Sequence, residues 1–190
     1  MPNWCSNSVT VSHEDPDMMA KFAVAVEQGN LFATFLPMPA ELEGTTSPSL
    51  IENKELVEKY GASDWYTWNL NNWGTKWDIS EGDFELDGEG NCGSGWFDTA
   101  WGPPLEAYRN LKEMGFVISA TYNEPGMGFC GMWDDGVEEY IDNYYDLFEQ
   151  EDFDLDDLDY DSDVKYILEN EYESWLQYRE DEENAADSSN

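Results

Sequence analysis

The 190-residue sequence combines a composition that suits a folded domain with a very large negative charge. Hydrophobic residues make up 41% of the chain and aromatic residues 15%, which is enough for one domain with a sizeable core. Only 8 Lys and Arg stand against 43 Asp and Glu, so the formal net charge is -35. Such a field repels nucleic-acid phosphates and anionic lipids and favours basic protein surfaces. We therefore expect no direct binding to nucleic acid or to a membrane.

The first half of the chain predicts one strand and two helices. Residues 4–12 contain Val9 and Val11 in alternation, with the β-branched Thr10 between them, which is typical of a strand. Asp15 followed by Pro16 predicts a helix start, and Gly29 ends the apolar stripe of that helix. Residues 50–60 predict a second helix.

The densest aromatic cluster lies at residues 65–78, where four tryptophans and a tyrosine occur together. Within it, residues 73–79 alternate with a period of two, which predicts a strand with Trp73, Trp77 and Ile79 on one face. An aromatic stripe at this spacing is typical of a core. The alternative is an exposed face that recognises a partner.

The next part of the chain predicts further strands, a helix and a hairpin. Residues 84–86 and 96–101 alternate as strands do, and residues 105–114 have apolar side chains at helical spacing. Residues 116–122 and 127–133 flank a turn and predict a β-hairpin. Strands and helices thus alternate with hairpins, which indicates an α+β fold with a mainly antiparallel sheet.

From residue 134 onward the chain is strongly acidic, with 23 Asp and Glu against only Lys165 and Arg179. Apolar residues nevertheless recur at helical spacing and predict helices over 137–149 and 163–183. A disordered acidic tail would not need such a stripe. We therefore predict an acidic helical extension.

Five motifs stand out in chain order: Met1-Pro2-Asn3-Trp4-Cys5-Ser6-Asn7, Phe35-Leu36-Pro37-Met38-Pro39, Asn72-Trp73-Gly74-Thr75-Lys76-Trp77-Asp78, Thr99-Ala100-Trp101-Gly102-Pro103-Pro104 and Tyr122-Asn123-Glu124-Pro125-Gly126. Together they resemble the motifs of the YubB/Api92-like family of phage and plasmid proteins. The resemblance implies a ferredoxin-like domain and an origin on a mobile genetic element. It implies no activity and no functional residues.

Three segments are expected on these grounds. Residues 1–136 are predicted to form the ferredoxin-like α+β domain, a mainly antiparallel sheet with helices on one face. Residues 137–183 are predicted to form the acidic helical extension packed on that domain, and residues 184–190 a disordered tail.

The cysteines and the N-terminal residues indicate a cytoplasmic protein. Cys5, Cys92 and Cys130 are odd in number and far apart, which argues against a disulfide framework and against a zinc ribbon. No basic region followed by an apolar run begins the chain, and no stretch approaches the roughly 20 apolar residues of a membrane span.

No combination of residues points to a catalytic, cofactor or metal site, so we expect a protein that is not an enzyme. Two Gly-x-Gly-x-x-Gly matches, beginning at Gly88 and Gly126, lead into strand-like sequence rather than the helix that a dinucleotide site needs. Residues 152–163 invite a calcium interpretation, but the glycine and glutamate of an EF-hand loop are missing, which leaves weak non-specific cation binding. His13 is the only histidine, so clusters of histidine ligands are excluded.

The acidic extension carries the functional hypothesis. A helix with two acids per turn presents a charge about every 2.7 Å, which is of the same order as the one charge about every 1.7 Å of axis in B-DNA. Such helices could therefore imitate the charge density of a nucleic acid. We therefore predict a nucleic-acid mimic that inhibits a host nucleic-acid-binding protein with a basic groove, such as a restriction or CRISPR-type nuclease. The predicted partner-binding residues are Asp134, Asp135, Glu138, Glu139, Asp142, Asp146, Glu149, Glu151, Asp152, Asp154, Asp156, Asp157, Asp159, Asp161 and Asp163.

Two other classes of function stay open at this point. One is a protein-interaction module that uses the aromatic cluster, with acidity serving only solubility. The other is a small nucleotide-processing enzyme, because paired carboxylates are too abundant in this chain to be informative.

Overall fold

The computed structural model describes residues 2–47 and 53–187. The chain forms six strands and seven α-helices in these residues, with 3-10 turns at Ala40–Leu42 and Leu155–Asp157. In chain order the elements are β1 (Trp4–Ser12), α1 (Pro16–Glu27), α2 (Leu31–Phe35), α3 (Lys54–Tyr60), α4 (Trp65–Asn72), β2 (Gly82–Leu86), β3 (Cys92–Ala100), α5 (Leu105–Glu113), β4 (Val117–Glu124), β5 (Phe129–Asp134), β6 (Val137–Ile141), α6 (Tyr144–Phe148) and α7 (Ser162–Asp187).

The six strands form one sheet in the order β2-β3-β1-β4-β5-β6, and every neighbouring pair is antiparallel. The first four strands, with α1 after β1 and α5 after β3, have the βαββαβ order of a ferredoxin-like fold. Strands β5 and β6 extend this unit beyond β4. The predicted α+β fold class is therefore confirmed.

The main hydrophobic core lies between one face of the sheet and helices α1, α2, α4 and α5. Strand β1 buries every second residue, including Val9 and Val11, because successive side chains of a strand point to opposite faces. Helix α1 begins where Asp15 accepts a hydrogen bond from the Asp17 N–H, and it buries Phe22 against this face. The predicted first strand and first helix are both confirmed.

A second core lies on the opposite face of the sheet. Cys130 and Trp133 are an odd number of residues apart in β5, so their side chains point to opposite faces. Trp133 belongs to the main core, whereas Cys130 packs with residues of β6, α6 and α7. The buried members of this second core are Cys130, Ile141, Tyr144, Phe148, Val164 and Leu168. The acidic extension is thus packed on the domain, on the face that α1 and α5 leave open.

The predicted helix over 137–149 is wrong. Residues Val137–Ile141 form β6, and only Tyr144–Phe148 are helical. Asp135 and Gly136, with φ of 40° and 106°, form the tight turn that folds β6 back along β5. The predicted domain boundary between residues 136 and 137 therefore falls inside a hairpin.

The end of the chain also differs from the prediction. Helix α7 continues through Asp187, so residues 184–187, expected in a disordered tail, are helical, and residues 188–190 lie outside the described residues. In the first half, α3 begins at Lys54, where Asn53 accepts hydrogen bonds from two backbone N–H groups of the first turn. The part of that predicted helix at residues 50–52 lies outside the described residues as well.

The tryptophan-rich stretch is a helix followed by bends, and the strand predicted at 73–79 is wrong. Asp64 caps helix α4 by accepting the Thr67 N–H at 3.0 Å. The bends after it are held by side chains, since Asn69 donates to the Lys76 carbonyl and Asp78 accepts from Phe32 N–H. These side-chain hydrogen bonds, between residues 7 and 46 positions apart, hold the stretch in bends rather than in a strand.

Candidate functional site

The fifteen predicted acidic residues lie on the β5–β6 hairpin, helix α6, the connection after it and the first turn of α7. Thirteen of the fifteen are exposed, and the remaining two, Asp135 and Glu139, are partly exposed. The acids are therefore available to a partner. Most of them lie on the hairpin and in the connection after α6 rather than on two long charged helices, so the expected helical charge spacing applies to few of them.

The acidic segment, residues 152–163, is attached to the second core by its apolar side chains. Its sequence alternates aspartates with apolar residues, and Phe153, Leu155, Leu158 and Tyr160 are partly buried against the second core. The aspartates between them all face solvent. A segment that alternates in this way has a fixed charged side, because the apolar side chains hold the other side on the protein.

Phe153 shows how firmly the segment is held. Its ring lies 5.3 Å from the Phe148 ring centroid and 5.0 Å from that of Tyr172, both in edge-to-face arrangements. Such pairs stabilise a contact beyond the area that they bury. Helix α6 and helix α7 are thus joined to the acidic segment through one aromatic cluster.

Local hydrogen bonds shape the backbone of the acidic segment. Asp154 accepts the Asp156 N–H and Asp161 accepts the Asp163 N–H, both at 2.9 Å. The Asp161 N–H in turn donates to the Glu139 carboxylate at 3.1 Å, which ties the segment to β6. Aspartate favours such turns because its short side chain reaches the backbone two residues on.

Few cations offset the fifteen acids. Among the described residues, ion pairs reach only two of them: Lys112 lies 3.0 Å from Asp135, and Arg109 lies 3.9 Å from Glu138. Exposed pairs of this kind contribute little to stability. The acidic segment therefore presents its charge without internal compensation, and its field extends into solvent.

The structure does not bring all predicted acids onto one face. Glu138 and Glu139 are neighbours in β6 and point to opposite sides of the sheet. Glu138 accepts a hydrogen bond from the Tyr122 hydroxyl at 3.0 Å, beside Arg109, whereas Glu139 faces the acidic segment. Burial and the nearby Glu138 carboxylate together raise the pKa of Tyr122, so this hydroxyl stays a hydrogen-bond donor.

The aromatic cluster at residues 65–78 contributes mainly to the main core. Trp68 and Trp73 are 7% and 6% exposed, and their rings pack edge to face. Trp77 is 40% exposed and lies under the Lys76 ammonium group, with 4.4 Å between the nitrogen and the ring centroid. The core interpretation therefore describes Trp68 and Trp73, and Trp77 lies at the surface.

The remaining candidate motifs occupy turns. Both Gly-x-Gly-x-x-Gly matches lie at hairpins, between β2 and β3 and between β4 and β5. Among the described residues, no group of three or more His, Cys, Asp or Glu is placed to hold a metal ion. The same residues include no helix that is both long enough and apolar enough to cross a membrane.

Sequence reasoning missed the apolar residues that hold the acidic segment. The signal was present, because Phe153, Leu155, Leu158 and Tyr160 interrupt the aspartates at intervals of two or three residues. The high density of aspartates in the same stretch made the pattern of apolar residues less evident. A strictly solvated acidic tail would contain no such regularly placed apolar side chains.

These features define a ferredoxin-like α+β protein with an acidic surface built on two additional strands and a C-terminal helix. No family model matches the chain, and no curated protein matches it. Among solved structures, the chain has a distant similarity to the crystal structure of a protein api92 from Yersinia pseudotuberculosis, described with the family model DUF1281. The two are 12% identical, the similarity covers 75% of this chain and 98% of that chain, and the TM-score is 0.46.

Proposed function

We propose that this chain is a phage- or plasmid-encoded inhibitor that occupies the nucleic-acid groove of a host defence protein, with carboxylates in place of phosphates. One observation carries the proposal. The acidic segment, residues 152–163, holds its aspartates toward solvent while its apolar residues pack against the second core. A solubilising tail needs charge but no fixed position, whereas a mimic needs both.

Fixing the acids in place favours binding for an energetic reason. A flexible acidic chain loses conformational freedom when it enters a groove, and that loss weakens its affinity. The acidic segment is already ordered by the rings of Phe153, Phe148 and Tyr172. Lys and Arg side chains that normally contact phosphates can pair with its carboxylates without that cost.

The origin of the protein is also part of the proposal. Its five sequence motifs support membership of the YubB/Api92-like family and therefore a source on a phage or a plasmid. An inhibitor with this origin would act in the cytoplasm of the host cell, against a restriction, CRISPR-type or similar nuclease. The proposed protein is not an enzyme and uses no cofactor.

The proposal can be tested by capture followed by competition. The immobilised chain is used to capture binding proteins from a bacterial lysate, and each captured protein is then tested for binding of a fluorescent DNA or RNA duplex. We expect the chain to displace the duplex, and we expect its affinity to fall steeply between 50 and 200 mM salt, as nucleic-acid binding itself does.

A matched pair of variants tests whether the position of the acidic residues matters or only the total charge of the chain. One variant changes Asp152, Asp154, Asp156, Asp157, Asp159 and Asp161 to Asn, which removes six charges but keeps a hydrogen-bonding oxygen at each position. The control changes six exposed acids elsewhere to their amides, namely Glu27, Glu58, Asp83, Glu85, Glu89 and Glu113. Only the first variant is expected to lose competition. Simultaneous binding of duplex and inhibitor, or equal losses in both variants, would contradict the proposal.

A further inference from the structure

A groove of about 520 Å³ opens between helices α6 and α7, on the side of the second core. Its lining residues are Tyr145, Glu149, Glu171, Ser174, Trp175 and Tyr178. We propose that this aromatic groove binds an arginine side chain of the partner protein. The inference rests on the proposed function for the existence of a basic partner, and it names the side chain that anchors that partner.

Tyr145 is held in position at one wall of the aromatic groove. Its hydroxyl donates a hydrogen bond to the Pro125 carbonyl at 3.0 Å. Its ring lies against Gly128, where a Cβ atom would approach the ring to 2.5 Å, and the φ of +75° at this glycine also disfavours other residues. Glycine at position 128 therefore leaves the space that the Tyr145 ring occupies, and any larger residue there would clash with that ring.

Trp175 forms the opposite wall and is also fixed. Its ring stacks on Tyr172 with an interplanar angle of 18° and 5.9 Å between centroids. Tyr172 packs in turn on Phe148 and Phe153 in the second core. The Arg179 guanidinium lies 5.3 Å from the Trp175 centroid, so this indole already accepts a planar cation within the chain.

Two carboxylates add charge to these aromatic walls. Glu171 accepts a hydrogen bond from the Asn123 side-chain amide at 2.6 Å, which fixes its direction, and Glu149 is exposed. In the described part of the chain, neither carboxylate forms an ion pair with a lysine or an arginine. The groove thus combines aromatic walls with two carboxylates that form no ion pair in the described part of the chain.

This combination selects for a guanidinium group. An arginine side chain is flat, stacks on aromatic faces and donates hydrogen bonds to carboxylates in a fixed fork. A lysine ammonium is compact and more strongly hydrated, so it gains less from the same walls. Neutral apolar groups would leave both carboxylates without a partner.

The test is a titration of the isolated protein with N-ethylguanidinium chloride at constant ionic strength. Nuclear magnetic resonance follows the indole N–H of Trp175 in the nitrogen-labelled chain. We expect a saturable shift, no saturable shift with the neutral isostere N-ethylurea, and weaker binding of n-butylammonium. In the Glu149→Gln/Glu171→Gln double variant we expect affinity to fall about fivefold or more.

The matched control is the Glu169→Gln/Glu173→Gln variant, which removes two exposed charges from the same helix outside the groove. It should bind N-ethylguanidinium within about twofold of the original chain. Glutamine keeps the oxygen that accepts the Asn123 hydrogen bond, so the double variant in the groove should stay folded, as its amide spectrum would show.

Four results would overturn the inference: no saturable shift, equal binding of N-ethylurea, tighter binding of n-butylammonium, or equal losses in the two double variants. These results are separable from failure of the proposed function. The titration involves no partner protein, and the competition with a duplex depends on residues 152–163. A chain that displaces the duplex but binds no guanidinium would contradict only the inference.

Discussion

The three cysteines have very different environments. Cys5 in β1 and Cys130 in β5 are both fully buried, on opposite faces of the sheet, whereas Cys92 at the start of β3 is partly exposed. Burial raises the pKa of Cys130 to about 12, with the Glu171 carboxylate adding to the effect. Burial also raises the pKa of Cys5 well above its ordinary value, with Glu124 and Asp98 contributing. Both buried thiols therefore stay protonated at neutral pH and are poor nucleophiles.

We predict that Cys92 alone reacts quickly with Ellman's reagent at pH 8. Only the thiolate attacks the reagent, and Cys5 and Cys130 combine low thiolate content with no access to solvent. The measured release should be one equivalent from the folded chain and three after unfolding in guanidinium chloride. A Cys92→Ser variant serves as the control and should show almost no fast release. Rapid reaction of all three thiols would contradict the burial of β1 and β5.

At the scale of single elements, helix α7 divides into a packed part and an exposed part. Val164 and Leu168 are fully buried in the second core, whereas residues 176–182 are exposed. Leu176, two turns after Leu168, is 41% exposed. The helix is therefore held by its first half, and its second half extends the acidic surface.

This division predicts very different changes in the free energy of unfolding when two leucines of the same helix are replaced by alanine. Leu168→Ala should lower the free energy of unfolding by about 2–5 kcal/mol, because it leaves a cavity in the second core. Leu176→Ala should change it by less than about 0.5 kcal/mol, because an exposed side chain has little to lose. Urea denaturation measures both. Similar losses in the two variants would show that α7 is not attached through its first half.

Much of the fold follows from sequence, and one of the failures shows where periodicity is ambiguous. Strand β1, helix α1, helix α5 and the β4–β5 hairpin were predicted because their periodicity is unambiguous and because caps and turns mark their ends. The helix predicted at 137–149 failed because its apolar spacing also fits a strand followed by a short helix. The Asp135-Gly136 turn was the signal that decides between them.

For the candidate site, the sequence predicted which acidic residues are exposed but did not predict how they are arranged. Charge density alone identified the acidic residues, since the exposed position of most of them follows from the cost of burying a charge. The arrangement of those residues could not be read from the sequence. It depends on contacts such as Phe153 with Tyr172 and Asp161 with Glu139, which join residues 19 and 22 positions apart.

At the scale of the whole molecule, the formal charge of -35 dominates the energetics. The described residues contain only four ion pairs, all of them exposed to a large extent. Repulsion among the remaining carboxylates destabilises the compact state, and dissolved salt screens that repulsion. Packing in the two cores must therefore offset this electrostatic repulsion.

We predict that the melting temperature rises as sodium chloride increases from 10 to 150 mM. The screening length falls from about 30 Å to about 8 Å over this range, so repulsion between distant carboxylates is largely removed. Differential scanning calorimetry measures the shift. The variant with six Asn in the acidic segment should show a smaller rise, and a melting temperature that falls with salt would contradict the dominance of repulsion.

The central position of β1 determines how the chain must fold after synthesis. Its partners are β3 and β4, and the pair formed by Trp4 and Ala100 joins residues that are 96 positions apart in sequence. Strand β1 therefore stays unpaired until the ribosome has synthesised β3. Pairing over such separations is slow, on the order of milliseconds to seconds. During that interval, the acidic charge of the nascent chain would keep its exposed apolar strands from aggregating.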